Sequence, residues 1–153
     1  MSRFSERQRQ QGCNDNLATL RNRFKSFISI TWNLAGLKIS NIGDFITSVS
    51  INTYWSVLLL HEFGSQTTFQ VRETTNGVVY IFPGISRQSR SNAIAVSHGF
   101  AHMVSFHSHC MFGGLVAFNL GSCVIAFVTL HIPHKNHDVS FDQYTEAINS
   151  MFA

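Results

Sequence analysis

Three polar side chains stand where segments otherwise built for burial run out. Asn33 closes the run "FISITWNL" (27–34), Glu62 follows the leucines of "SVLLLHEF" (56–63), and His131 ends "VIAFVTLHIPH" (124–134). A lone carboxylate beside an amide suits a hard divalent cation that keeps several waters and takes its remaining ligands from substrate phosphates. An imidazole, with its ordinary pKa near neutrality, can hold a phosphate oxygen or protonate a leaving group. Plainer roles are open at the same positions: an ion pair of Glu62 with an arginine, or a turn residue in His131 before Pro133.

The elements that must position these groups follow from periodicity. In the first run Phe27, Ser29, Thr31 and Asn33 share one face and Ile28, Ile30, Trp32 and Leu34 the other, as in a strand. From about Asn41 to Tyr54, Ile42, Phe45, Ile46 and Val49 recur at helical spacing, with Asp44 in the first turn. "SVLLLHEF" is apolar on both faces, as an interior strand is, and strand, helix, strand implies a parallel pair joined by a crossover. Asn33 and Glu62 then both fall at carboxyl ends, the edge where open α/β sheets bind ligands.

Beyond Gly77 the pattern changes to strand-like runs at 77–84, 92–100, 101–109, 114–120 and 123–132, separated by short turn signals and suggesting a mostly antiparallel continuation. A second helix closes the chain: Ser140 and Gln143 have capping-box spacing, and Phe141, Tyr144, Ile148, Met151 and Phe152 repeat at helical intervals. The expected architecture is α/β (α+β), one mixed sheet with flanking helices.

Other groups offer rival chemistry. His107 and His109 share a strand face, and His131, His134 and His137 recur every third position, so either set could hold zinc, although neither has the spacing of a recognised closed site. Arg87 and Arg90 in "SRQSRSN" (86–92) could touch phosphates or simply decorate a solvated hairpin end.

With 153 residues, 44% hydrophobic and only 12% charged, the chain can bury one sizeable core. The net charge of +3 is concentrated in residues 1–25, where six Lys/Arg face two acids; residues 26–153 hold five against six. We therefore read residues 1–25 as a flexible basic tail and 26–153 as one domain whose body is not basic. The tail lacks the apolar stretch of a secretory signal, and three cysteines without paired spacing argue for reduced thiols, so an intracellular location, cytoplasmic or nuclear and not secreted, is expected. Residues 111–132 carry no charge for a length that could span a bilayer, but "NLGS" (119–122) interrupts them and Val, Phe and Ile dominate. Two buried strands fit better than a membrane span.

"ITWNLAGL", "SVLLLHEF", "SNAIAVSHGF" and "VIAFVTLHIPH", in this order, resemble the endonuclease/exonuclease/phosphatase superfamily, the DNase I-like fold. "HIPHK" before a helix is similar to endonuclease domains of non-LTR retroelements. The resemblance runs from about Phe27 to the end and implies an α/β/β/α sandwich of which this chain is the N-terminal half. It implies a Mg2+- or Mn2+-dependent phosphodiester hydrolase, most like a nuclease, with Glu62 as metal ligand and Asn33 and His131 as catalytic residues. His61 stands where the family usually has glutamine. The implied partner is nucleic acid, DNA before RNA, or another phosphate ester.

The family's second half supplies Gly-Asp-x-Asn and a terminal Asp-His pair, which activate the attacking water. Neither occurs here: "GDF" (43–45) continues with Ile46 and precedes Glu62. We therefore expect a partial domain, inactive as this chain alone, whose uncovered apolar sheet face favours self-association or pairing with a missing C-terminal half. A noncatalytic binding or assembly module is the alternative.

Overall fold

The mixed α/β composition is realised in the computed structural model, which describes residues 27–64, 68–84, 90–119, 121–131 and 139–153. Strand β1 (Ser29–Asn33) leads through a short 3-10 turn (Ile39–Asn41) into helix α1 (Ile42–Asn52) and strand β2 (Val57–Phe63). Then follow β3 (Gln70–Glu73), β4 (Gly77–Phe82), β5 (Ser91–Ser97), the single-turn helix α2 (His98–Ala101), β6 (Val104–Cys110), β7 (Gly113–Asn119), β8 (Val124–Leu130) and helix α3 (Phe141–Met151). The expected basic tail, residues 1–25, lies outside the described residues.

The strands make two sheets, where the sequence suggested one. A five-stranded mixed sheet runs β1-β2-β5-β4-β3, with β1 parallel to β2 and the remaining pairs antiparallel; β6-β7-β8 form a separate antiparallel sheet. The division falls at α2, where the chain turns out of the first sheet after β5. It follows from burial: β5 and β7 are buried on both faces, so each needs a layer above and a layer below.

Three apolar clusters separate the layers. Ile42, Ile46 and Val49 of α1 pack on Leu58, Leu60, Val79, Ile81, Ala93 and Ala95 of the first sheet; the two alanines present little bulk on the helix side. Between the sheets, Tyr80, Phe82, Ile94 and Val96 meet Val116, Phe118 and Phe127. On the far side Leu115 and Ala117 of β7 pack against Met151 and Ile148 of α3. The order is α/β/β/α, with all four layers supplied by this chain. The inward face expected to lie bare is instead covered by the second sheet.

Gly114 permits a close approach of the sheets, since a Cβ there would overlap the Phe82 ring. The α3 capping box forms as its spacing implies: the Ser140 hydroxyl accepts from Gln143 N–H (3.2 Å), and Gln143 Oε1 accepts from Ser140 N–H (3.0 Å). Residues 113–119 and 124–130 are strands, not helix, and among the described residues no helix is long and apolar enough to cross a membrane.

Candidate functional site

Parallel pairing of β1 with β2 sets Asn33 directly opposite His61 and so carries the end of one strand to the end of the other. Strict alternation would put Asn33 on the face toward the second sheet and Glu62, with Leu58 and Leu60, on the face toward α1. A bulge removes the conflict. The register of β2 on β5 shifts between Leu60 and Phe63, and Glu62 takes a left-handed backbone conformation (φ 55°). Phe63 thereby joins the helix-side cluster, and the Glu62 carboxylate reaches the strand edge. There Asn33 Nδ2 donates to Glu62 Oε2 at 3.0 Å.

The neighbouring turn is held by the same residues. Asn33 Oδ1 accepts from Ala35 N–H (2.9 Å), bending the chain through Ala35 (φ 47°) and Gly36 (φ 90°). Gly36 N–H then donates to the Glu62 carbonyl at 2.7 Å. One side chain thus shapes the turn and orients the acid.

Arg90 stands on the solvent side, with Nη1 3.8 Å from Glu62 Oε2 and both side chains about half exposed. A Cβ on Gly36 would lie 3.6 Å from its guanidinium, so the cation sits over the turn. The arginine partner considered for Glu62 is therefore present, at a distance and exposure where an ion pair adds little stability. Arg87 of the same stretch lies outside the described residues.

His61 points the other way, toward the second sheet. Its Nδ1 lies 3.0 Å from the Thr129 hydroxyl of β8. Burial pushes its pKa below the ordinary imidazole value of 6.5, opposed in part by a hydrogen bond with Asn92 and by the charge of Glu62. Asn92 Oδ1 also accepts from the Glu62 N–H at 3.4 Å, supporting the bulge.

His131 follows β8, two residues beyond Thr129. Its backbone N–H donates to the Phe112 carbonyl at 2.7 Å and the residue is half-buried. The structure thus brings Asn33 and Glu62 into direct contact, and through the His61–Thr129 bond it brings the end of β8, and with it His131, to the same end of the molecule.

The histidines of the zinc reading are placed otherwise. His107 and His109 stack against Phe69 with ring centroids 5.2 and 4.8 Å away, while His134 and His137 lie outside the described residues. Among the described residues no three His, Cys, Asp or Glu side chains are grouped to hold a metal.

Sequence reasoning missed Asn92, Thr129 and the bulge. The available signal was the acid in "LLLHEF": if Leu58 and Leu60 are buried beneath a helix, a carboxylate at the next position on that face must be turned away. No family model, curated protein or solved structure matches this chain.

Proposed function

We propose that this chain is a Mg2+-dependent (or Mn2+-dependent) phosphodiester hydrolase of nuclease type, built around the Asn33–Glu62 pair. The observation that carries the reading is the 3.0 Å contact between an amide and a carboxylate at the carboxyl ends of two parallel strands. The α/β/β/α layering and the order of the four sequence motifs support it.

The donor set fits a hard ion: an oxygen ligand, half exposed, with no thiolate or imidazole grouped with it among the described residues to favour a softer metal. Glu62 would hold the cation, whose chemistry is to neutralise charge on a bound phosphate. Asn33 keeps the carboxylate in place and still has one Nδ2 hydrogen to offer a phosphate oxygen. Arg90, on the solvent side, would meet the ester's negative charge as it arrives. His131 would hold a phosphate oxygen by a hydrogen bond or give a proton to the leaving oxygen.

DNA is the proposed substrate, ahead of RNA and other phosphate esters. The sequence lacks the family's water-activating Gly-Asp-x-Asn and Asp-His groups, so only slow hydrolysis is expected of the Asn33–Glu62 site.

Arg90 beside Glu62 favours a second reading, a noncatalytic module in which this pair holds the surface together. Incubation of purified monomer with supercoiled plasmid and Mg2+ separates the two. Nicking that disappears in Glu62→Gln supports the hydrolase. An intact plasmid supports the module.

A further inference from the structure

Positive charge is segregated in the folded body. The lysine and arginines among the described residues are Lys38, in the loop from β1 to α1, Arg72 on β3, and Arg90 just before β5. All three meet along that one loop. The Arg90 guanidinium lies 3.6 Å from where a Cβ on Gly36 would stand. Lys38 belongs to the loop and is exposed. Arg72 reaches across from β3, its Nη1 donating to the Ile39 carbonyl at 3.2 Å. The loop is pinned over the end of β2, where Gly64 N–H donates to the Leu37 carbonyl at 2.6 Å.

Little of this charge is neutralised. Among the described residues the one ion pair is that of Arg90 with Glu62, long at 3.8 Å and half exposed. Arg72 gives a second hydrogen to Gln70 Oε1 at 3.3 Å and has further donors to spare. Asp44 in the first turn of α1 and Glu73 beside Arg72 pair with none of the three, and Asp142 and Glu146 lie on α3, in the far layer. The cations therefore present one basic track that starts at Glu62. Their anchor points span residues 36 to 39, up to about 11 Å of extended loop, a length matched by successive phosphates of a strand rather than by a single one.

Trp32 adds a surface for a base. It precedes Asn33, and its ring meets Phe45 of α1 at 5.4 Å and nearly perpendicular, a contact that cannot cover both faces of the indole. The residue is 45% exposed, whereas Trp55 is 4% exposed. Bases in a duplex are already stacked and paired. An unpaired base is free to lie on an indole.

We infer that this end of the molecule binds a single-stranded segment of nucleic acid, with successive phosphates on Arg90, Lys38 and Arg72 and an unpaired base stacked on Trp32. The inference deepens the hydrolase reading, on which it rests for placing the reacting phosphate at Glu62, by naming an unpaired strand as the substrate.

Tryptophan fluorescence of the full chain in EDTA tests it, since no metal-dependent cleavage then consumes the probe. An oligothymidylate of about ten nucleotides should quench Trp32 saturably, and a duplex of the same length should quench it little and bind at least about fivefold more weakly. With a labelled strand followed by anisotropy, Lys38→Ala and Arg90→Ala should each weaken binding and lower the slope of log affinity against log salt by about 0.7. Trp32→Ala should weaken it about fivefold or more, and Trp32→Phe should restore most of the loss. Absence of quenching, or equal affinity for the duplex, overturns the inference. So does an affinity and salt slope unchanged in both cation variants, which would assign binding to the six Lys/Arg of residues 1–25, or binding confined to anionic lipid vesicles. Failure of the hydrolase reading looks different: plasmid stays intact with Mg2+ while the oligothymidylate still binds in EDTA, to Glu62→Gln as to the unaltered chain.

Discussion

His61 and Thr129 share a 3.0 Å hydrogen bond that ties the end of β2 in the first sheet to the end of β8 in the second. Thr129 is 1% exposed, so the bond is shielded on one side. Replacing Thr129 with valine leaves the imidazole without this partner at similar volume. Unfolding free energy should fall by about 1 kcal/mol, read from the urea midpoint; an unchanged midpoint would show that the sheets do not depend on this tie.

The same histidine makes stability depend on pH. Its folded pKa lies below the unfolded value of 6.5, so as pH falls the unfolded chain takes up its proton first. Stability is full above the unfolded value and is lost as pH falls from there through the folded value. Urea unfolding at about pH 7.5 and about pH 5 should therefore show lower stability in acid, and His61→Gln should flatten part of that difference. An undiminished slope in the variant would assign the effect to other groups.

Glu62 occupies a left-handed conformation that suits glycine better than any residue with a Cβ. Glu62→Gly and Glu62→Ala both remove the carboxylate, so their difference isolates the backbone. The glycine variant should be more stable by about 1 kcal/mol. Equal midpoints in denaturant would mean that the bulge relaxes without the acid.

Gly114 of the second sheet meets the Phe82 ring of the first with no room for a Cβ. Gly114→Ala should cost roughly 1–3 kcal/mol by overpacking, and Phe82→Leu on the same background should recover part of that loss. A cycle in which the two effects simply add would place the strain elsewhere.

Much of this arrangement was legible because local signals and burial agreed. The alternating run to Asn33, the helix of Ile42, Ile46 and Val49, and the doubly apolar β2 require a parallel pair, and β1 and β2 pair that way. The Ser140 cap likewise needs only its own four residues. Strand β3, "QVRE", was missed because a short edge strand with two charges has neither an apolar run nor a clean alternation. The second sheet was missed because periodicity says which residues face a core but not which core. The bulge was hidden for a related reason: sequence alternation assigns Glu62 to the helix face, and only pairing with β5 shows that Phe63 takes that place.

Arg90 stands 3.8 Å from the Glu62 carboxylate, the proposed metal ligand. If both compete for Glu62, Arg90→Ala should tighten Mn2+ binding by about twofold to fivefold, the range set by the strength of an exposed ion pair. A weaker affinity in the variant would instead make Arg90 part of the cation's support.

The most direct measurement is Mn2+ binding by the purified full chain, followed by water-proton relaxation and competed with Mg2+. One saturable Mn2+ site that Mg2+ displaces is expected, abolished in Glu62→Gln and weakened in Asn33→Ala. Binding that survives Glu62→Gln undiminished, or no saturable binding in the unaltered chain, would contradict it.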